Sequence, residues 1–225
     1  MKIAVIGTGK TGGKVVELLG EECSDTFNEH NPPTAEKLQQ SDAVIIFVPG
    51  DAVSDIINEV LESGIPAAWG STGLDWPVDL DDQVKEKNTK WILASNFSLG
   101  MNVIRKSIQA ISTASNILDN PEFHIHEVHH VHKKDAPSGT ALSWKEWLDK
   151  EAEVTSDREG DVKGIHELTV KTATEEITLK HKALDRALFA EGAIWAAKQL
   201  IENTGIDNGV HAFGQIFDQL IMEEE

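Results

Sequence analysis

The chain has 225 residues, with 20 Lys and Arg against 38 Asp and Glu, giving a formal charge of −18. Nucleic acid and anionic membrane surfaces bind through dense positive charge, so this balance argues against both as partners. At 40% hydrophobic and 26% charged residues, the chain has material for a sizeable core, in one large domain or two small ones. In chain order, Lys2 to Ile6 reads as a short apolar strand. The glycine-rich run Gly7-Thr8-Gly9-Lys10-Thr11-Gly12-Gly13 follows, then a helical pattern with Val15, Val16, Leu18 and Leu19. A second strand is predicted near Asp25 to Glu29, before the Pro32-Pro33 break. Ala43 to Val48 is a continuous apolar run of strand length, the mark of a strand buried on both faces. Val53 to Leu61 has helical spacing, and Ile65 to Trp69 and Trp91 to Ala94 are further short strands. Strands alternating with helices predict an α/β fold with a doubly wound parallel sheet.

The pattern then changes. Gly100 to Leu118 predicts a long helix, and Phe123 to Val131 a strand rich in histidine. Pro137-Ser138-Gly139-Thr140 opens a helix running to about Glu151, with Ser138 or Asp135 as its cap. Glu159 to Gly164 is a polar loop, and Ile165 to Val170 with Glu176 to His181 form a hairpin. Leu188 to Ile201 is helical. Excess acid is expected on solvated faces such as Asp79 to Asp82 and the tail Glu223 to Glu225. The single cysteine, Cys23, excludes an intrachain disulfide and fits a reducing compartment. No stretch approaches the roughly 18 apolar residues of a spanning helix. The first residues carry no secretory pattern, so the reading is a cytoplasmic protein.

Gly7, Gly9 and Gly12 match G-x-G-x-x-G between a strand and a helix. The first glycine permits a tight turn, the second lets backbone approach a pyrophosphate, and the third lets helix and strand pack closely. The helix N-terminus presents N–H groups to the phosphates. Glu29, with Asp25 second, is the candidate for the adenosine ribose hydroxyls. The lack of a nearby Arg favours NADH over NADPH, although His30 and Lys37 stand close by.

Five of nine histidines fall between His124 and His132. On an unbroken strand, His124, His126, His130 and His132 face one way and His129 the other, so the ladder does not converge on one ion. No metal is therefore expected. The run from Glu127 through His129, His130, Lys133, Asp135 and Ser138 to Ala141 gathers acid–base groups just before a helix N-terminus. His and Lys donate protons or polarise a substrate near neutral pH, and the N–H groups of Gly139 and Thr140 suit a carboxylate. Together they suit a small, multiply anionic substrate.

This run resembles the E-x-H-H-x-x-K-x-D-A-P-S-G-T-A signature of the dihydrodipicolinate reductase (4-hydroxy-tetrahydrodipicolinate reductase) family of lysine and diaminopimelate biosynthesis. Gly70-Ser71-Thr72-Gly73 is similar to the family's G-T-T-G loop beside the nicotinamide, and Ser95-Asn96-Phe97-Ser98 falls in its hinge segment. Phe47 matches the D-F-S/T strand end. His181-Lys182-Ala183, Arg186, Phe189-Ala190 and Gly192-Ala193 resemble its H-x-A-x-x-R-x-x-F-A-x-G-A stretch.

The resemblance implies a Rossmann-type dinucleotide-binding domain over 1–98 and 187–225. It implies a second α+β domain for substrate binding and oligomerisation over 99–186. NADH or NADPH delivers hydride to a cyclic dihydropyridine-type dicarboxylate. Lys133 is the leading proton donor and His129 the second candidate. His130, Lys133, Gly139 and Thr140 hold the substrate. Gly7, Thr8, Gly9, Lys10, Thr11, Gly12, Glu29, Phe47, Gly70, Ser71, Thr72, Ser95, Asn96 and Phe97 serve the cofactor. A homotetramer is implied.

The sequence departs from the family at three points. The R-G-G-x-x-G-x-H segment is read only as Gly164-Ile165-His166, the second strand region is clipped, and the G-x-Y-x-M ending appears as Gly209-Val210-His211-Ala212-Phe213. His166 and His181 read as structural. The alternatives are another NAD(P)-dependent reductase of a small carboxylate substrate, or a non-catalytic cofactor-binding module.

Overall fold

Short apolar runs bounded by glycine, proline and polar residues become strands in the first half of the chain, as their length dictates. The computed structural model describes residues 1–222, so the Glu223–Glu225 tail lies outside the described residues. The chain divides into two compact units, Met1–Ser98 with the segment from Ala187 onward, and Leu99–Arg186.

The first unit runs β1 (Ile3–Ile6), α1 (Gly12–Leu19), β2 (Cys23–Phe27), α2 (Ala35–Leu38), β3 (Ala43–Ile46), α3 (Ile57–Ser63), β4 (Ala67–Trp69), α4 (Leu80–Glu86) and β5 (Lys90–Leu93). The second unit contains α5 (Leu99–Ala114), β6 (Glu122–His129), α6 (Gly139–Leu148), β7 (Glu153–Arg158), β8 (Ile165–Lys171) and β9 (Glu176–Lys182). The chain then returns to the first unit with α7 (Ala187–Glu202), β10 (Gly209–Ala212) and α8 (Phe213–Met222).

Six strands form one sheet in the order β10-β5-β4-β3-β1-β2, and every pairing is parallel. This is the doubly wound Rossmann-like sheet expected from the alternation of strands and helices. All residues of β1 and β3 are buried, because helices cover both faces. Ile6, Ile46 and Trp69 meet Leu38, Val60, Leu61 and Val84 in one core. On the opposite face α7 packs against α1 and over β3, β4 and β5.

The second unit is a four-stranded mixed sheet, β7-β6-β8-β9, in which β6 and β7 are parallel and the other pairs antiparallel. Ile108 of α5 and Trp144 and Leu148 of α6 bury themselves against Ile125, Leu168 and Val170. Full burial of each such side chain stabilises by about 1.5–3 kcal/mol relative to exposure.

Several boundaries differ from expectation. The second strand starts at Cys23 and ends at Phe27, leaving Glu29 outside it. In the Ala43–Val48 run the regular strand spans only Ala43–Ile46, and Phe47 N still donates to Ile6 O at 2.9 Å before Pro49 and the turn into Gly50. The helix expected from Val53 starts at Ile57, after a 3-10 turn over Gly50–Ala52. The long helix expected through Leu118 stops at Ala114 and tightens into a 3-10 turn, where the Ser115 hydroxyl donates to the Ser112 carbonyl. α6 ends at Leu148, because Asp149 adopts a left-handed C-cap at φ 49°. β7 was not expected. Its residues, Glu-Val-Thr-Ser-Asp-Arg, lack an apolar alternation, because it is a sheet edge that turns polar groups inward. The acidic 79–82 run is only partly a solvated face. Asp81 pairs with Lys85 at 2.5 Å and accepts a hydrogen bond from Val210 N at 2.8 Å, which anchors β10.

Candidate active site

In the first unit, the candidate cofactor site lies at the C-terminal ends of the parallel strands. β1 sits between β2 and β3, so successive connections leave it in opposite directions. Ligands of open α/β sheets bind outside the strand ends at such a switch point. Gly7 follows β1 with φ +86°, a conformation that favours glycine, and its N–H donates to Phe27 O at 2.9 Å. A Cβ on Gly12 would lie 1.7 Å from Gly7 O, whereas one on Gly9 would meet nothing within 4 Å. The first and third glycines are thus occupied by the protein's own packing. The second leaves its backbone open, as a dinucleotide pyrophosphate requires. Thr8 and Lys10 are exposed and Thr11 half-buried on the same turn.

The remaining predicted cofactor residues follow other strands of this sheet. Phe47 follows β3 and packs edge-on against Phe97 at 5.9 Å. Gly70 follows β4 and gives that ring its space, since a Cβ there would sit 2.2 Å from a Phe47 ring carbon. Ser71 is buried with its hydroxyl unpartnered among the described residues, and Thr72 is exposed. Ser95 is exposed, and Asn96 accepts from Ser98 N at 2.8 Å to hold the turn. The Phe97 ring is 1% exposed, packed between Phe47 and Phe213. Glu29 projects into solvent with its side chain 85% exposed, 3.4 Å from His30.

The second unit carries a separate cluster of acid–base groups. Alternation along β6 turns Ile125, Glu127 and His129 inward, apolar first and polar toward the strand end. Glu127 is fully buried, which costs several kcal/mol for an unpaired carboxylate. Its partners converge. Ser138 N donates to Oε1 at 3.0 Å and Arg158 Nη2 donates to the same oxygen at 3.2 Å. His129 Nδ1 lies 2.8 Å and His166 Nε2 3.7 Å from Oε2. The His129 contact is close but outside hydrogen-bond alignment. Burial pushes the Glu127 carboxyl upward, but the Ser138 hydrogen bonds and the field of His129 outweigh it and hold the pKa below the ordinary range. Burial drives the His129 pKa down, against the pull of Glu127. Burial and neighbouring His129 push His166 down to about 4. His166 is therefore a neutral ring at physiological pH, stacked near Trp144 and 3.2 Å from the Ser138 hydroxyl.

β6 ends at His129, whose carbonyl accepts from Glu159 N at 2.8 Å. A turn follows, closed by Lys133 N donating to His130 O at 3.1 Å. Lys133 Nζ meets Asp135 Oδ2 at 2.9 Å, and that ammonium holds the Asp135 carboxyl below the usual range. Ser138, not Asp135, caps α6, with Ala141 N donating to its hydroxyl at 3.2 Å. Gly139 and Thr140 occupy the first helical turn, where N–H groups lack helical acceptors. A Cβ on Gly164 would crowd His129 Nε2 at 3.1 Å, so the glycine keeps that nitrogen clear.

His130 is half-buried beside exposed His132. His124 and His126 lie on the other face of β6, both on Thr155 Oγ1 at 2.8 and 2.9 Å, and take no part in the cluster. Glu127, His129 and His166 bring ligand-type atoms within 4.8 Å. Here the other oxygen of the Glu127 carboxylate is already engaged by Arg158 and Ser138 N.

Arg158 is the participant that the sequence reading missed. It stands at the last position of the unexpected edge strand, one of three arginines in the chain. The signal was present: Arg158 and Gly160 precede Gly164-Ile165-His166 with one residue more than the R-G-G-x-x-G-x-H spacing. His166, read as structural, also joins the network.

The sequence pattern described as dihydrodipicolinate reductase, C-terminus, matches residues 100–214. A 4-hydroxy-tetrahydrodipicolinate reductase of Haloarcula marismortui is 31% identical over 96% of this chain and 99% of its own. The chain belongs to the dihydrodipicolinate reductase family. That family comprises pyridine-nucleotide-dependent reductases of lysine biosynthesis. The enzyme of that name from Bdellovibrio bacteriovorus is 33% identical over 75% of this chain and 74% of its own. Among solved structures, a dipicolinate-bound dihydrodipicolinate reductase from Paenisporosarcina sp. TG-14 shares the fold, with a TM-score of 0.71 at 18% identity. It covers 96% of this chain and 99% of that one. No described helix is long and apolar enough to cross a membrane.

Proposed function

We infer that the chain is an NAD(P)H-dependent reductase of a cyclic, dihydropyridine-type dicarboxylate, the 4-hydroxy-tetrahydrodipicolinate reductase step. The observation that carries this reading is the cluster Glu127–His129–Lys133–Ser138–Arg158 beside the N-terminus of α6, in a chain of this family. The bound dinucleotide supplies the hydride. The chain's own residues supply binding, orientation and a proton. Gly9 and the N-terminal turn of α1 would hold the pyrophosphate, with Thr8, Lys10, Thr11 and Gly12 completing the turn, and Phe47 and Gly70 to Thr72 would serve the nicotinamide end; the open space at the Gly9 backbone supports this. Gly139 and Thr140 take a substrate carboxylate with helix N–H groups and a hydroxyl.

His130 and Lys133 add positive potential at that anion, against the chain's overall charge of −18. Lys133 Nζ is the proton donor, and its 2.9 Å ion pair with Asp135 Oδ2 orients it. His129, oriented by Glu127, polarises the ring. Glu29 near the end of β2 supports NADH over NADPH. The working form is a homotetramer in the cytoplasm.

Lys133→Ala tests the assignment. Turnover falls by about 100-fold or more, while NADH affinity, measured by fluorescence titration, is retained. Near-wild-type turnover in that variant contradicts it.

A further inference from the structure

We propose that Arg158 is a positioning residue for this reduction, acting through the loop that carries Lys133. The proposal rests on the reading of Lys133 as the proton donor. Arg158 closes β7 and lies in register with His129 on the neighbouring strand β6. Its guanidinium is engaged on all sides by the protein. Nε donates to Lys133 O at 3.3 Å, Nη2 donates to Asp135 O and to Glu127 Oε1, the latter at 3.2 Å, and Nη1 donates to Asp157 O at 2.7 Å.

Two of these acceptors are carbonyls that flank the Lys133–Asp135 ion pair. A third is the buried carboxylate facing His129. That same carboxylate oxygen also takes Ser138 N, so one group ties down both ends of the loop between β6 and α6. A planar fork with five N–H donors satisfies several fixed acceptors at once, which a lysine ammonium on a flexible stem does not. Lys133 has a long side chain on a turn with one ion-pair partner, so the position of its Nζ depends on where the loop backbone is held. Arg158 holds it. Because four of its five N–H groups are spent on protein acceptors, its contribution is loop geometry.

The test is a kinetic cycle of Arg158→Ala, Lys133→Ala and the double variant, with Arg158→Lys beside them. Arg158→Ala lowers kcat by about ten- to a hundredfold, as a misplaced reacting group does. KM for NADH stays within about twofold, since uniform cofactor binding is not touched. Arg158→Lys retains more turnover than Arg158→Ala, and added guanidinium ion restores part of the Arg158→Ala rate. In the double variant, loss of Arg158 costs nothing beyond loss of Lys133.

Multiplicative losses, or an Arg158→Ala enzyme as fast as wild type, overturn the positioning role while leaving Lys133 as donor. A Lys133→Ala enzyme with full turnover overturns both readings, so the two failures are distinct. Should Arg158→Ala lack a cooperative thermal transition, the cycle is run with Arg158→Lys, with the same outcomes deciding.

Discussion

Glu127→Gln is the substitution that asks most of the buried network. The amide keeps the shape of the side chain but removes a charge from a fully buried position. The amide oxygen can still accept from Ser138 N and Arg158 Nη2 at the Oε1 position, which leaves the NH2 group facing His129 Nδ1 and His166 Nε2 without the negative charge. Removing one partner of a buried charged pair costs about 3–5 kcal/mol. The Arg158 side chain is 20% exposed and keeps its carbonyl acceptors, which places this case at the lower end. The expected loss is therefore about 3 kcal/mol, or about 6–12 °C in Tm for a chain of this length. A second readout is independent of stability. The Glu127 carboxylate opposes the downward push of burial on His129. Without it the His129 pKa falls further, and the limb of the pH–rate profile set by His129 moves to lower pH. Thermal melts and kcat profiles across pH measure both. A Tm within about 2 °C of wild type, together with an unmoved limb, would refute the reasoning.

Gly9→Ala keeps wild-type stability, because its Cβ meets nothing, but weakens NADH binding at least about tenfold by filling the pyrophosphate space. Gly12→Ala, whose Cβ would lie 1.7 Å from Gly7 O, loses folding stability instead, and paired melts and titrations separate the two. His166 has a folded pKa of about 4 against 6.5 for the free ring, so the unfolded chain takes up its proton first as pH falls. Its contribution to stability is fully present above 6.5 and lost between 6.5 and about 4, up to about 3 kcal/mol, which urea unfolding at several pH values reads. Glu29→Ala weakens NADH more than NADPH, and equal losses in titrations of both show that the carboxylate does not reach the ribose.

The doubly wound sheet was legible because its signals are local: continuous apolar runs for β1 and β3, and glycines where a strand meets a helix. The Glu127–Ala141 run was equally plain, since its chemistry lies in one contiguous segment. Arg158 was not. Strand β7 carries no apolar alternation, and only its pairing with β6 in three dimensions brings the guanidinium to Glu127. His166, read as structural, is a buried ring on the antiparallel neighbour β8, directly opposite Glu127 in register; that partner is what sequence distance conceals. The packing of the Phe97 ring against Phe47 and Phe213 was out of reach too, since a motif position does not tell what its side chain touches.

The central claim is hydride transfer to a cyclic dicarboxylate at this site. It is tested most directly by supplying aspartate semialdehyde, pyruvate and the upstream synthase to the purified protein, and following NADH and NADPH oxidation in separate reactions. The expected result is oxidation dependent on this chain, faster with NADH, and abolished by Lys133→Ala. Oxidation of neither nucleotide contradicts the assignment.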